Sequence, residues 1–161
     1  MTLNGLMHKL PAQVKKLLFF FVVTLTFGYT IGFLFIKHTT DLKPQGVYEN
    51  YVGNEENEDA EVMKFKKSDG EMYTMIHDHT ISLSIMFLIL GVLISITSLP
   101  AFIKGFLIIE PFISIVLTFG GIGLMWNGVA WMKYVVIFSG SLLTFTFYIS
   151  VILIIWQLLK K

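Results

Sequence analysis

The sequence contains no cysteine, and all twelve of its basic residues are lysines, so that arginine is absent as well. Without cysteine there are no disulfides, thiolate metal centres, iron–sulfur clusters or cysteine nucleophiles. Without the guanidinium fork of arginine, bidentate recognition of phosphate or carboxylate is not expected. The formal net charge is +1 and no basic stripe is present, so we expect no binding to nucleic acid.

Long apolar runs dominate the 161 residues, of which 55% are hydrophobic, and the mean hydropathy is +0.72. A run of about 20 apolar residues is long enough to cross a bilayer as an α-helix. The sequence therefore predicts an all-α integral membrane protein, a bundle of four transmembrane helices in a single membrane domain over residues 1–161. The predicted spans are about residues 17–36, 79–99, 103–126 and 134–159.

The placement of lysine predicts how the bundle is oriented. With four crossings, the lysines before the first run, in the turn between the second and third runs and at the end of the chain share one side. Because positively charged residues favour the cytoplasmic side, both termini are expected in the cytoplasm. The loop of about 40 residues over 38–76 is then extracytoplasmic. The first run is too long for the apolar part of a signal peptide, so it is interpreted as a retained anchor.

The predicted loop carries nearly all the acidic residues. Its segment "GNEENEDAEVMKFKK", residues 53–67, has acids first and lysines later, which complements a helix dipole. This pattern predicts a short solvated surface helix. The alternative is a docking surface for a basic partner.

Two histidines flank an aspartate just before the second apolar run, in "IHDH" at residues 76–79. If this segment is extended, residues two apart share a face, and His77 and His79 together with Met75 would bind one copper or zinc ion. If it is helical, the two histidines point about 200° apart and cannot share an ion. One of them would then pair with His38, at the end of the first helix, to hold a haem b.

A proton- or quinone-site role is a further functional interpretation of the same segment, and the remaining interpretation is structural. Aspartate and threonine accept hydrogen bonds from the first amides of a helix, so Asp78 or Thr80 would cap the second transmembrane helix. No cofactor is the default expectation, with haem or copper as the alternatives.

Glu110 is the one acidic residue well inside an apolar run. Ser114 and Thr118 follow it at helical spacing, so the three side chains form a stripe that should face the bundle. The functional interpretation is a proton-accepting group, because ionisable residues in a membrane are costly. The structural alternative is a hydrogen bond to a neighbouring helix, through Thr26 or Tyr148.

Small residues recur along the predicted helices at spacings that favour close contact. In membranes, glycine and serine let helix backbones approach one another. The candidate packing positions are Gly28, Gly32, Ser84, Gly91 and Gly121.

The segments "GNEENEDAEVMKFKK", "IHDHTISLSIMFLILGVLIS" and "LIIEPFISIVLTFGG", after a lysine-flanked first helix, resemble a group of small four-helix proteins of the bacterial inner membrane. The resemblance covers most of the chain. It implies the fold and a multi-pass location in that membrane. It brings no catalytic residue and no cofactor.

Three functions follow from these features. The leading hypothesis is an accessory or scaffold subunit of a larger inner-membrane complex, whose partners are lipid and other membrane subunits or a second copy. The alternatives are a haem- or copper-binding membrane protein and a small proton- or ion-coupled transporter. No set of serine, histidine and aspartate can be assembled from the pattern, so a hydrolytic enzyme is not expected.

Overall fold

The computed structural model describes residues 4–57 and 60–160. In these ranges the chain is helical and contains no strand, and four of the helices are long and apolar enough to cross a membrane. The expectation of an all-α membrane protein with four spans is confirmed. A short 3-10 turn, Leu6–Lys9, precedes the α-helices, which are α1 Ala12–Thr40, α2 Pro44–Val52, α3 Asp69–Ser95, α4 Ala101–Trp126 and α5 Met132–Leu159.

The central unit of the bundle is the closely packed pair of α4 and α5. α3 packs against α4 and more lightly against α5, whereas α1 packs against α5 and α2. α5 therefore lies between the first and third helices. One end of the bundle holds the 3-10 turn, the α3–α4 turn and the end of α5, and we refer to it as the Lys104 end. The other is the Trp126 end.

The second transmembrane helix begins ten residues earlier than predicted, at Asp69 rather than 79, and it ends at Ser95 rather than 99. The cause is a capping box. The Ser68 hydroxyl accepts a hydrogen bond from the backbone N–H of Glu71, whose carboxylate in turn accepts one from the backbone N–H of Ser68 (2.8 Å). The prediction that Asp78 or Thr80 caps this helix is wrong, because both lie more than two turns inside it.

Replacing Ser68 with alanine should loosen the first turns of α3. The substitution removes the acceptor for the Glu71 amide, and losing such a cap costs about 1 kcal/mol. We expect faster amide hydrogen exchange over the first turn of α3 and unchanged exchange in α5. Threonine at the same position restores the acceptor and serves as the control. Equal exchange in the alanine variant and the natural protein would contradict the role of the cap.

The other helices also extend beyond their predicted spans. α1 adds residues at both ends of 17–36, and α4 and α5 each begin two residues before 103 and 134. The predicted loop 38–76 therefore contains the end of α1, all of α2 and the first two turns of α3. Apolar runs mark where a helix crosses hydrocarbon, whereas its hydrogen bonds continue into the polar interface.

The predicted helix over 53–67 is wrong for its described residues, which are not helical. The helical segment is instead the preceding one, where Pro44 occupies the first turn of α2. Gly53 ends α2 with a φ of +89°, and a Cβ there would lie 2.8 Å from the Lys66 backbone nitrogen. Asn54 then joins the two sides of the loop, since its Oδ1 accepts from the backbone N–H of Lys64 (2.7 Å). Residues 58 and 59 of the predicted helix lie outside the described residues.

Side chains of two lysines and of Trp126 attach this loop to the Trp126 end of the bundle. Lys64 donates from Nζ to the carbonyl of Thr39 (3.0 Å), near the end of α1. Trp126 donates from Nε1 to the Lys67 carbonyl (2.9 Å), and the Lys66 ammonium lies 4.7 Å from the centre of the Trp126 ring. The loop is thus held by both α1 and α4.

The chain before α1 covers the Lys104 end. Met7 is fully buried, and its backbone N–H donates to the carbonyl of Ile96 (3.0 Å). Lys104 donates from Nζ to the carbonyls of Ser95 (3.0 Å) and Thr97 (2.5 Å), so its ammonium satisfies acceptors at the end of α3. At both ends of the bundle, side chains therefore donate hydrogen bonds to backbone carbonyls.

Candidate functional site

A buried polar seam runs between α4 and α5. Glu110, Ser114 and Thr118 are all less than 9% exposed and lie on the side of α4 that packs into the bundle. Ser114 donates from its hydroxyl to Oε1 of Glu110. The hydroxyls of Thr118 and Ser139 are 2.7 Å apart and join the two helices. The seam places a carboxyl group and several hydroxyls inside an otherwise apolar bundle.

The Glu110 carboxyl is only half satisfied. Its Oε2 atom is buried and has no hydrogen-bond partner among the described residues. The predicted partners on other helices bind elsewhere. Thr26 donates to the carbonyl of Val22 in its own helix (2.7 Å), and the hydroxyl of Tyr148 lies 2.9 Å from that of Thr30. A role for Glu110 in proton or ion coupling stays a prediction.

A second set of hydroxyls, which the sequence analysis did not identify, attaches α1 to α5. The hydroxyls of Tyr29 and Thr144 are 3.2 Å apart, and those of Thr30 and Tyr148 are 2.9 Å apart. The ring of Tyr29 also stacks on that of Phe147, with centroids 3.8 Å apart. Tyrosine and threonine inside apolar runs were the available signal, since buried hydroxyls in membranes are usually shared between helices.

The histidine pair lies inside α3. Because the segment is helical, His77 and His79 point about 200° apart. The extended geometry required for one ion held by His77, His79 and Met75 is therefore absent. His77 Nδ1 lies 3.0 Å from Asp78 Oδ1, and both of these side chains are largely exposed. His79 donates from Nδ1 to the carbonyl of Met75 (2.9 Å).

His38 lies on a different helix from this pair, in the last turn of α1. The pair itself lies on α3, and both α1 and α3 pack against α5. Within residues 4–57 and 60–160, no three or more His, Cys, Asp or Glu side chains form a group that could hold a metal ion. The hypothesis of a haem held by two histidines stays a prediction.

The candidate packing positions divide into two groups. A Cβ at Gly121 would meet Val136 Cγ2 at 3.0 Å, and a Cβ at Gly91 would meet Ile108 at 3.8 Å, so both glycines lie at contacts between helices. Ser84 is half-buried on α3. At Gly28 and Gly32 no described atom beyond the adjacent residues and the local helix backbone comes within 4 Å of an added Cβ. These two glycines face away from their own bundle.

Four apolar helices around a buried polar seam define an integral membrane protein of the helical-bundle class. The chain belongs to the Aq_1264_TM family, described as a transmembrane helical domain, whose model matches residues 41–161. The coarser part of the resemblance, to a group of helical membrane proteins, is thereby confirmed. No curated protein and no solved structure matches the chain. The matched segment starts immediately after α1 and includes α2 to α5.

Proposed function

We propose that this protein is an accessory subunit of a larger membrane complex and that α1 is the helix that docks to the partner. The observation that carries the proposal is the small contact between α1 and the rest of the bundle. In its most apolar 18-residue window only 6% of the residues are buried, against 28% in α3, 50% in α4 and 44% in α5. The first helix is thus attached to the domain along a narrow strip.

The outward face of α1 carries small residues of the kind found at contacts between membrane helices. Thr24, Gly28 and Gly32 are spaced four residues apart, and all three are exposed. Small residues at this spacing let a second helix approach closely, and the gain comes from van der Waals contact and not from removal of apolar surface from water. The family model matches residues 41–161, so α1 lies outside the matched segment. A docking function suits both observations.

We further infer that the Lys104 end faces the cytoplasm of a bacterial cell and that the protein lies in the inner membrane. The flanks of the first helix, which usually dominate the orientation, support this through the positive-inside rule. Lys9, Lys15 and Lys16 lie at its Lys104 end, against Lys37 and Lys43 at its other end. The loop with α2 then lies outside, on the same side as Trp126.

Site-specific crosslinking in native membranes tests the docking role of α1. The chain has no cysteine, so one introduced cysteine carrying a photoreactive label is unique. We expect a label at Gly28 or Gly32 to give one discrete adduct heavier than the chain. The matched controls are Val23 and Leu34, which are also exposed on α1 but lie about 120° or more around the helix from Gly28. They should give little of the same adduct.

Two outcomes would contradict the proposal. One is equal adduct formation from all four positions, which would mean that α1 meets its neighbours at random. The other is an adduct with twice the mass of the chain, which would assign this face to a second copy in place of a different subunit. Mass spectrometry of the adduct distinguishes the second result from a heterologous partner.

A further inference from the structure

A groove lies along the outer side of the contact between α4 and α5, with a volume of about 570 Å³. Its rim is apolar and partly aromatic, with Phe102 and Phe106 from α4 and Phe138 and Leu142 from α5. Glu110 and Ser114 also line it, so the groove reaches the polar seam. Its size falls within the range of about 300–1,000 Å³ typical of small-molecule sites.

Glu110 is the feature that distinguishes this groove from an ordinary furrow between helices. The side chain is 7% exposed, and Oε1 is already bonded to the Ser114 hydroxyl. Oε2 is buried, and no polar atom of the described chain is bonded to it. A buried polar atom without a partner is destabilising, so a ligand that supplies a partner gains an interaction that the protein itself lacks.

We propose that the groove binds a bilayer-soluble phenol, with the hydroxyl of the ligand bonded to Glu110 Oε2 and its ring among the phenylalanines of the rim. The phenolic hydroxyl donates a hydrogen bond to Oε2, which receives none from the described chain. A flat ring suits a rim of three phenylalanines, because aromatic rings favour offset and edge-to-face contacts. The apolar remainder of such a molecule stays in the lipid.

The groove and the outward face of α1 are separate features. The groove is formed by α4 and α5 alone, and none of the residues that line it belongs to α1. Phenol binding therefore goes beyond the accessory role, and either proposal can fail without the other.

Photolabelling of the full chain in lipid nanodiscs tests the site. The probe is an alkylphenol with a diazirine in its chain, and its methyl ether, which accepts but cannot donate a hydrogen bond, is the control ligand. We expect the phenol to label peptides of α4 and α5 at the groove. Labelling by the methyl ether should be about fivefold lower, the loss expected for one hydrogen bond.

Three variants connect the labelling to Glu110. Glu110→Leu should reduce phenol labelling to the level of the methyl ether, whereas Glu110→Gln, which keeps a donor and an acceptor, should retain most of it. Thr146→Val is the matched control. Its hydroxyl is the other buried polar atom without a partner in the described chain, and Thr146 does not line the groove. This variant should label like the natural protein.

Should Glu110→Leu fail to fold, the two ligands compared on the natural protein still decide the question. Equal labelling by phenol and methyl ether would overturn the proposal, as would equal labelling of Glu110→Leu and the natural protein. Labelling spread over all lipid-facing helices would show partition into the bilayer and would overturn it as well. Crosslinks between two copies through α4 and α5, in place of groove labelling, would assign the groove to a second chain.

Discussion

Replacing Phe147 with alanine should destabilise the bundle by about 3 kcal/mol, the lower part of the range for large aromatic residues in a core. Phe147 is fully buried in α5 at the place where three helices meet. Its ring stacks on Tyr29 of α1 at 3.8 Å between centroids and meets Phe87 of α3 edge to face at 6.2 Å. Removing the ring leaves a void between α1, α3 and α5 and abolishes both aromatic contacts.

The membrane setting places this prediction at the lower end of the range. Lipid tails are as apolar as the interior of the bundle, so burial of Phe147 gains little from the hydrophobic effect, and packing accounts for the loss. The matched control is Phe145→Ala, two residues earlier in the same helix, whose side chain is 60% exposed. It should change the free energy of unfolding by less than about 0.5 kcal/mol.

Unfolding by a denaturing detergent, followed by circular dichroism in mixed micelles, gives the free energy of unfolding for both variants. The two variants should also differ in their susceptibility to proteolysis. Because the Tyr29–Phe147 stack is a main contact of α1, proteolysis between α1 and α2 should be faster in Phe147→Ala and unchanged in Phe145→Ala. Equal unfolding free energies for the two alanine variants would contradict the packing argument.

The four long helices were predictable because hydrocarbon imposes a simple rule. A segment that crosses the membrane must satisfy its backbone groups internally and present apolar side chains, and both requirements appear as a long apolar run. The same rule says nothing about residues in water or at the interface. That is why α2, with Asn50, Glu49 and Gln45 among its nine residues, was not predicted, and the neighbouring acidic segment was predicted as a helix instead.

The start of α3 shows how local chemistry can outweigh hydropathy. Ser68 and Glu71 fit the capping-box pattern, but the first ten residues of the helix that they begin mix polar and apolar side chains before the apolar run. The histidine pair was therefore assigned to the edge of the helix, whereas it lies two turns inside. The choice between an extended and a helical segment, on which the metal hypothesis depended, was decided by a cap nine residues away.

The candidate site was predictable in part. The periodicity of Glu110, Ser114 and Thr118 indicated that they share a face, since a helix fixes which of its own residues are neighbours. It could not indicate the partner helix, because that depends on how the helices pack. α5 supplies Ser139 to the seam, and Glu110 finds its one bonded partner within its own helix. The unpartnered oxygen is a property of the packed bundle.

Substitutions at the glycines of α4 can test which face of this helix packs against α5. The sequence alone does not distinguish Gly120, Gly121 and Gly123. In the structure, a Cβ at Gly121 would lie 3.0 Å from Val136 Cγ2, whereas a Cβ at Gly120 would meet no neighbouring atom within 4 Å. Gly121→Leu should therefore push α4 away from α5 and destabilise the protein by about 3 kcal/mol, near the upper end for overpacking. The nearby Thr118–Ser139 hydrogen bond should be lost as the helices separate.

Gly120→Leu is the control, and the expected change has the opposite sign. Position 120 faces outward, so leucine meets only lipid, and replacing a helical glycine by a better helix former should stabilise α4 by about 0.5–1 kcal/mol.

Combining Gly121→Ala with Val136→Ala removes the clashing methyl group and should recover most of the stability that Gly121→Ala alone loses. Similar unfolding free energies for Gly120→Leu and Gly121→Leu would mean that α4 and α5 do not approach through Gly121. The arrangement of the polar seam between these two helices would then be wrong.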